Sequence, residues 1–336
     1  MNSSTSGRLM ELPGHSLPTF SDAARDDALF HYTTATGLIG IFDSGEIWST
    51  AYYCANDEQE LSAGAGVLAR LFRERAYQLS AAKDPRAILL ARRGVDIMEY
   101  ADGFEGHLIA LTMNSLVAYI TCFYKPSGRE DFLHGLLSQW RGYGTDGGYA
   151  LQFSRARLLQ SIKRTNSEHD TNYDLEDVYY TPENPLRDAV LAQGDAFLHE
   201  FDQHLSELAG PIDSSRMMFR NPIFELLKGP LVPLLDYLTC TKNGHFAEER
   251  ECRLSLVQPA TVDSALRTVR RYSRNGLVVS YTTTPKTSFD VLDCVDWIVV
   301  GPGPRMATRF KAICEMVKHS GRIIPVRPSH IPFTRA

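Results

Sequence analysis

The sequence predicts an α+β fold, a mixed β-sheet core carrying helical insertions. Three observations predict it. Short alternating or β-branched runs recur from Asp27 to Val326, and stretches of helical spacing separate some of them but not others. Without regular alternation of strand and helix, a doubly wound parallel sheet fits poorly. The chain of 336 residues, 43% hydrophobic and 22% charged, is long enough to bury a full core. Residues 1–25 mix Ser, Gly, Pro and charge without periodicity and read as a flexible tail. Residues 26–336 read as one α+β domain with a helical insert around 185–238.

In chain order, Asp27–Thr33 reads as a strand. Thr34 or Thr36 caps a short helix through Leu38 and Ile41, and Gly45 ends it in a left-handed turn. Glu46–Thr50 is the next strand. A helix is expected from Asn56 to about Leu79, and another over roughly Arg86 to Tyr100, with Asp84 as its cap and Pro85 at its first position. Tyr119–Tyr124 is a strand. Asp131 caps a single helix through Leu133, Leu136, Leu137 and Trp140, followed by the glycine-rich turn Gly142–Gly148. Tyr149–Phe153 is a strand, and Ser154 caps a helix to about Ile162. Residues 165–175 read as polar loop. Further strands are expected at 177–180, 277–281, 297–300 and 323–326. Gly301-Pro302-Gly303-Pro304 reads as a structural turn, because two prolines remove the amides that a phosphate cradle would use.

Composition narrows the function classes. A net charge of −5 gives no polyanion-binding footprint by itself. Six cysteines occur without C-x-x-C spacing, which argues against a zinc site or redox pair and suits a reducing cytoplasm. No secretory signal is recognisable, and no apolar run approaches ~18 residues. Walker A and G-x-S-x-G patterns are absent.

Three segments concentrate polar and aromatic groups. Ala247–Val257 alternates in its second half, which reads as a strand with Glu249, Glu251 and Arg253 on one face and Cys252, Leu254 and Leu256 on the other. This face lines a polar cleft or is simply solvated. Two carboxylates on one face repel unless a cation intervenes, and Arg253 is placed to be that cation. In Phe30-His31-Tyr32-Thr33, His31 and Thr33 share a face and present hydrogen-bonding groups to a ligand, or His31 is a half-buried strand histidine. Trp140 and Tyr143, with Tyr149 beyond the glycine turn, suit stacking on a planar ring, with glycine amides toward phosphate, or form ordinary core aromatics beside a turn. Metal ligands are not expected, since no H-E-x-x-H or Asp cluster completes a site around Glu249 and Glu251.

Together these segments resemble a widespread bacterial domain family of unknown function. The resemblance rests on His31-Tyr32-Thr33 with Ser44-Gly45 and Trp48, and on Ser138-Gln139-Trp140 with Tyr143-Gly144 and Gly147-Gly148-Tyr149-Ala150-Leu151. It continues through Tyr179-Tyr180, Lys242, Glu249-Arg250-Glu251-Cys252-Arg253-Leu254 and Val299-Val300-Gly301-Pro302, and spans roughly residues 28–326. That family in turn resembles ADP-ribosyltransferases, whose Ser-Thr-Ser motif is not found here. The resemblance implies an ADP-ribosyltransferase-like sheet and NAD as substrate. Glu251 would be the catalytic carboxylate and Glu249 the acceptor-directing one. His31, Tyr32, Thr33, Trp140, Tyr143, Tyr149 and Arg253 would hold NAD. It further implies ADP-ribose transfer to protein or nucleic acid, or NAD hydrolysis, and a cytoplasmic toxin or phage-defence effector with room for a regulatory partner or antitoxin. The rival readings are a non-catalytic nucleotide-sensing module and a metal-dependent nuclease or hydrolase.

Overall fold

The computed structural model describes residues 18–54, 60–92, 94, 96–99, 101–103, 105–106, 116–143, 147–169, 171–181, 199, 203, 239–259, 269–274, 276–284 and 290–332. The described strands are β1 (Ala28–Thr33), β2 (Trp48–Ala51), β3 (Leu116–Tyr124), β4 (Tyr149–Ser154), β5 (Tyr173–Asp177), β6 (Tyr179–Thr181), β7 (Thr241–Asn243), β8 (Glu251–Pro259), β9 (Arg270–Arg274), β10 (Leu277–Thr283), β11 (Val295–Val300) and β12 (Val326–Pro328). Parallel and antiparallel pairs coexist among them, so the chain is mixed α/β with a mixed sheet and several helices. Two compact units form, the first from residues 1–45, 124–158 and 290–336, the second from 46–123 and 159–289.

In the first unit, β4 is buried along its whole length because it is paired on both edges. β1 runs antiparallel to it from Ala28↔Ser154 to Thr33↔Tyr149, and β11 runs antiparallel on the other side. β12 adds in parallel to β11, and Tyr124 pairs Phe30. Phe30, Tyr32, Tyr124, Phe132, Leu133, Trp140, Ala150 and Val299 form a core cluster. The helix Ala35–Ser44 has the expected cap: the Thr34 side chain accepts from the Gly37 amide, and Gly45 closes it at φ 68°.

Several expectations shift here. The helix expected from Asp131 through Trp140 is two helices, Arg129–His134 and Leu137–Tyr143. Gly135 breaks it at φ 76°, and a Cβ there would lie 2.7 Å from the Tyr32 hydroxyl and 2.9 Å from the Trp140 indole nitrogen. The Tyr32 hydroxyl then accepts from the freed Leu136 amide. The last strand lies at Val326–Pro328 rather than 323–326, with Ile323 outside it and exposed. Within the expected tail, Asp22–Asp27 forms a helix capped by Ser21, and residues 1–17 lie outside the described residues.

In the second unit, β8 pairs antiparallel with β5, from Tyr173↔Leu256 to Asp177↔Cys252, and also pairs β3. β2 joins β3 and β10, and β9 closes the β10 hairpin. β6 and β7 form a separate parallel pair. The polar loop expected at 165–175 is instead the end of the helix Arg155–His169 followed by β5. Asn166 makes this tight connection: its carboxamide oxygen accepts from the Thr171 hydroxyl and the Tyr173 amide, and its nitrogen donates to the Tyr173 carbonyl. The helix Glu60–Ala81 matches expectation, whereas the next begins as expected, with Asp84 accepting from the Arg86 amide, but ends at Arg92 rather than near Tyr100. Of the insert expected at 185–238, all but the helical His199 and Gln203 lie outside the described residues.

Candidate functional site

The second unit gathers four charges around the start of β8. The chain approaches along a 3-10 turn, Gly244–Glu249, capped by the Asn243 side chain. Arg250 then takes a left-handed conformation, φ 43°, and β8 begins at Glu251. Glu249 is therefore not a strand residue sharing a face with Glu251, as its spacing suggests. The kink at Arg250 nonetheless brings both carboxylates to one cation: Lys242 Nζ donates to Glu249 Oε2 at 2.7 Å and to Glu251 Oε2 at 3.2 Å.

Arg253 completes the group from the same strand face, two residues along. Its Nε donates to Glu251 Oε1 at 2.8 Å and one terminal nitrogen donates to Oε2 at 3.1 Å, a bidentate pairing. The other terminal nitrogen donates to the Thr239 carbonyl at 2.5 Å. The Glu251 amide donates to the Tyr180 hydroxyl. The Lys242 ammonium also lies 4.8 Å from the Phe246 ring centre.

These groups are not a solvated strand edge. Glu251 is 5% exposed and Arg253 1% exposed. Burial alone would push the Glu251 carboxyl up. The Arg253 charge and hydrogen bonds, the Lys242 charge and a bond from Cys122 outweigh it and bring the carboxyl down to about 2. Glu251 is thus ionised throughout the neutral range and has no proton to give. Burial dominates at Tyr180 and pushes its hydroxyl up, so it stays neutral. Glu249 is the more accessible carboxylate, its side chain 26% exposed. Two carboxylates against two cations balance in charge, which is what makes their burial tolerable.

The first unit holds the other sequence candidates. His31 and Thr33 are half-buried on β1, opposite Leu151 and Tyr149. Tyr32 and Trp140 are core residues, packed edge-on with ring centres 4.7 Å apart. The Trp140 indole donates to the His134 carbonyl. Tyr149 is buried, and among these aromatic candidates only Tyr143 is exposed. At its described end the glycine turn presents carbonyls to Arg309. Arg309 donates to the carbonyls of Gly147 at 2.5 Å and Gly301 at 2.9 Å, joining this turn to Gly301–Pro304. The Gly301 amide is spent on the Gly148 carbonyl. Gly301–Pro304 is a structural turn, as its prolines indicate.

Lys242 and Tyr180 had no role assigned from sequence. Neither carries a local pattern, because both reach Glu251 only through tertiary contacts of the separate β6–β7 pair with the start of β8. Among the described residues no group of three or more His, Cys, Asp or Glu is placed to hold a metal, and no helix is long and apolar enough to cross a membrane. None of the six cysteines forms a disulfide among the described residues.

Residues 139–254 match the family model described as Protein of unknown function (DUF2971). The DUF2971 match takes in Trp140, Tyr143, Tyr149, Tyr180, Lys242, Glu249, Glu251 and Arg253. It is narrower than the resemblance read from sequence, since it begins after His31 and ends before Val299. No curated protein and no solved structure matches the chain.

Proposed function

We propose that the chain cleaves the nicotinamide–ribose bond of NAD and passes ADP-ribose to a protein, a nucleic acid or water, with Glu251 and Glu249 as the catalytic carboxylates on an ADP-ribosyltransferase-like sheet. The observation that carries this reading is the buried Glu251 carboxylate, paired through both oxygens with Arg253 and bonded by Lys242, which holds its carboxyl low. A carboxylate held at about 2 is useless as a general acid, so it does not suit hydrolysis of an ordinary glycoside, whose leaving oxygen needs a proton. Nicotinamide leaves NAD as a neutral molecule, taking both electrons of the C–N bond and needing no proton. What this cleavage needs is fixed negative charge near the ribose as positive charge develops there. The acceptor oxygen or nitrogen then bonds to the ribose carbon and gives up its proton. Glu249, the accessible carboxylate, takes that proton, and Lys242 holds both carboxylates in place.

A role as a toxin or phage-defence effector, kept in check by a regulatory partner or antitoxin, belongs to the same reading and rests on the sequence resemblance alone. A second reading, a non-catalytic nucleotide-binding module, is favoured by the burial of Glu251 and the engagement of both its oxygens by Arg253.

Purified protein incubated with labelled NAD, with and without cell extract, separates them by nicotinamide release. The first reading expects release that falls on the order of 100- to 1,000-fold in Glu251→Gln. Glu249→Gln, which leaves the Glu251–Arg253 pair intact, lowers it too while the fold is kept. NAD binding without release establishes the second reading. Divalent-metal-dependent cutting of nucleic acid, indifferent to NAD, overturns both.

A further inference from the structure

The hairpin edge of the second unit carries a surface that the carboxylate site does not use. β9 reads Arg270-Arg271-Tyr272-Ser273-Arg274, three arginines in five residues of a chain whose net charge is −5. Among the described residues β9 pairs only with β10, so it is a sheet edge. Directly opposed residues share a face, and so do residues two apart on a strand. Tyr281 opposes Arg270, Val279 opposes Tyr272, and Thr283 opposes Trp48. Trp48, Arg270, Tyr272 and Tyr281 therefore lie on one face.

Their rings are already stacked. Trp48 lies over Tyr281 with ring centres 4.2 Å apart and planes 27° from parallel. Tyr272 buttresses both, 5.6 Å from each. Tyr281 is buried at the bottom of the stack, whereas Trp48 is 42% exposed. An indole held rigidly by one face and open on the other is a stacking platform. The Arg270 side chain is half exposed, and its contact with Glu46 is long, at 3.7 Å. Arg271, also exposed, lies on the opposite face of β9.

We propose that this face binds single-stranded nucleic acid: a base continues the Tyr281–Trp48 stack, and the flanking phosphate is held by Arg270. Aromatic rings beside arginines are what sequence-tolerant binding of single strands requires, with stacking for any base and positive charge along the backbone. A protein strand added to the β9 edge is the competing occupant. Arginines at 270 and 271 oppose that, since charged side chains on an edge strand disfavour further strand pairing. The surface is independent of the NAD reading and stands whether or not the carboxylates are catalytic.

The test is fluorescence anisotropy with labelled single-stranded oligonucleotides of DNA and RNA against the full chain over a range of salt. Trp48→Ala should weaken binding on the order of tenfold or more, and Trp48→Phe should restore much of it. Arg270→Ala should also reduce the slope of log affinity against log salt by about 0.7, the value for one lost single-strand phosphate contact. Trp48 is half open to solvent, so thermal melting of the variants should be close to that of the parent. Absence of oligonucleotide binding, or binding indifferent to Trp48→Ala and Arg270→Ala, overturns the proposal. So does a self-associated species in sedimentation that Trp48→Ala dissolves, which would make this face a protein interface.

Discussion

Replacing Arg253 with methionine should reverse the way the Glu251 charge couples to folding. In the intact protein the Glu251 carboxyl drops from its ordinary value of 4.5 to about 2. At ~1.36 kcal/mol per pH unit, that difference corresponds to about 3 kcal/mol of folding stability. The sign follows from proton counting. Between pH 2 and 4.5 the unfolded chain binds the proton that the folded chain has lost. The stability is therefore complete above 4.5 and disappears as pH falls toward 2. Arg253→Met removes the bidentate partner and leaves one lysine between two carboxylates. Burial then prevails, and the folded Glu251 holds its proton to a pH above 4.5, where the unfolded chain has already released it. In the variant the contribution of this group is present at low pH and lost as pH rises. Breaking a buried pair this way costs about 3–5 kcal/mol at pH 7. Urea denaturation of parent and variant at intervals from pH 4.5 to 7.5 measures the difference directly. The expected result is a gap that widens steadily with pH. A gap below about 1 kcal/mol, or one that is flat across this range, would refute the claim that Arg253 is what keeps Glu251 ionised.

Two further outcomes follow from other residues. Gly147→Ala should lower stability by at least ~1 kcal/mol in thermal melting, because position 147 sits at φ 87° and a Cβ there would meet the Arg309 guanidinium at 2.3–2.4 Å. His134 is held below its ordinary 6.5, first by burial and then by the neighbouring His330, whose amide donates to its ring. The unfolded chain takes up that proton first, so the stability it contributes is present above 6.5 and lost as pH falls through the folded value. His330→Ala should shrink the loss, as read by the pH dependence of urea midpoints.

Features set by neighbouring residues were legible in the sequence. Thr34, Gly45 and Asp84 perform the capping and stop functions their residue types suggest, because those interactions reach only a few positions along the chain. The pairing of Arg253 with Glu251 was legible for the same reason, being two residues apart on one strand face. What the sequence could not show is set at long range. Gly135 splits a helix because Tyr32 and Trp140 occupy the space where a Cβ would be. Asn166 turns an apparently polar loop into a helix–strand junction, and β5 conceals its alternation by burying Tyr173 and Leu175 between acidic residues. By spacing Glu249 belongs on the strand, and nothing in the pattern marks Arg250 as left-handed, a conformation arginine seldom adopts. Solvent exposure was the least legible property. The Glu251 face looks the same in sequence whether it meets water or Lys242.

The first unit is assembled from three separated stretches of chain, and this bears on the order of events during synthesis. Arg327 holds the Phe132 and Leu133 carbonyls and the Gln152 side chain, partners 195, 194 and 175 residues earlier. Those carbonyls wait for their donor until 194 and 195 further residues have been made. The residues of the second unit, ending at 289, are available before β11 and β12 exist. Closing such long loops is entropically expensive and slow. The nascent chain thus holds β4 without its β11 neighbour until Val295–Val300 is made, and any fragment that ends before Val295 lacks that neighbour.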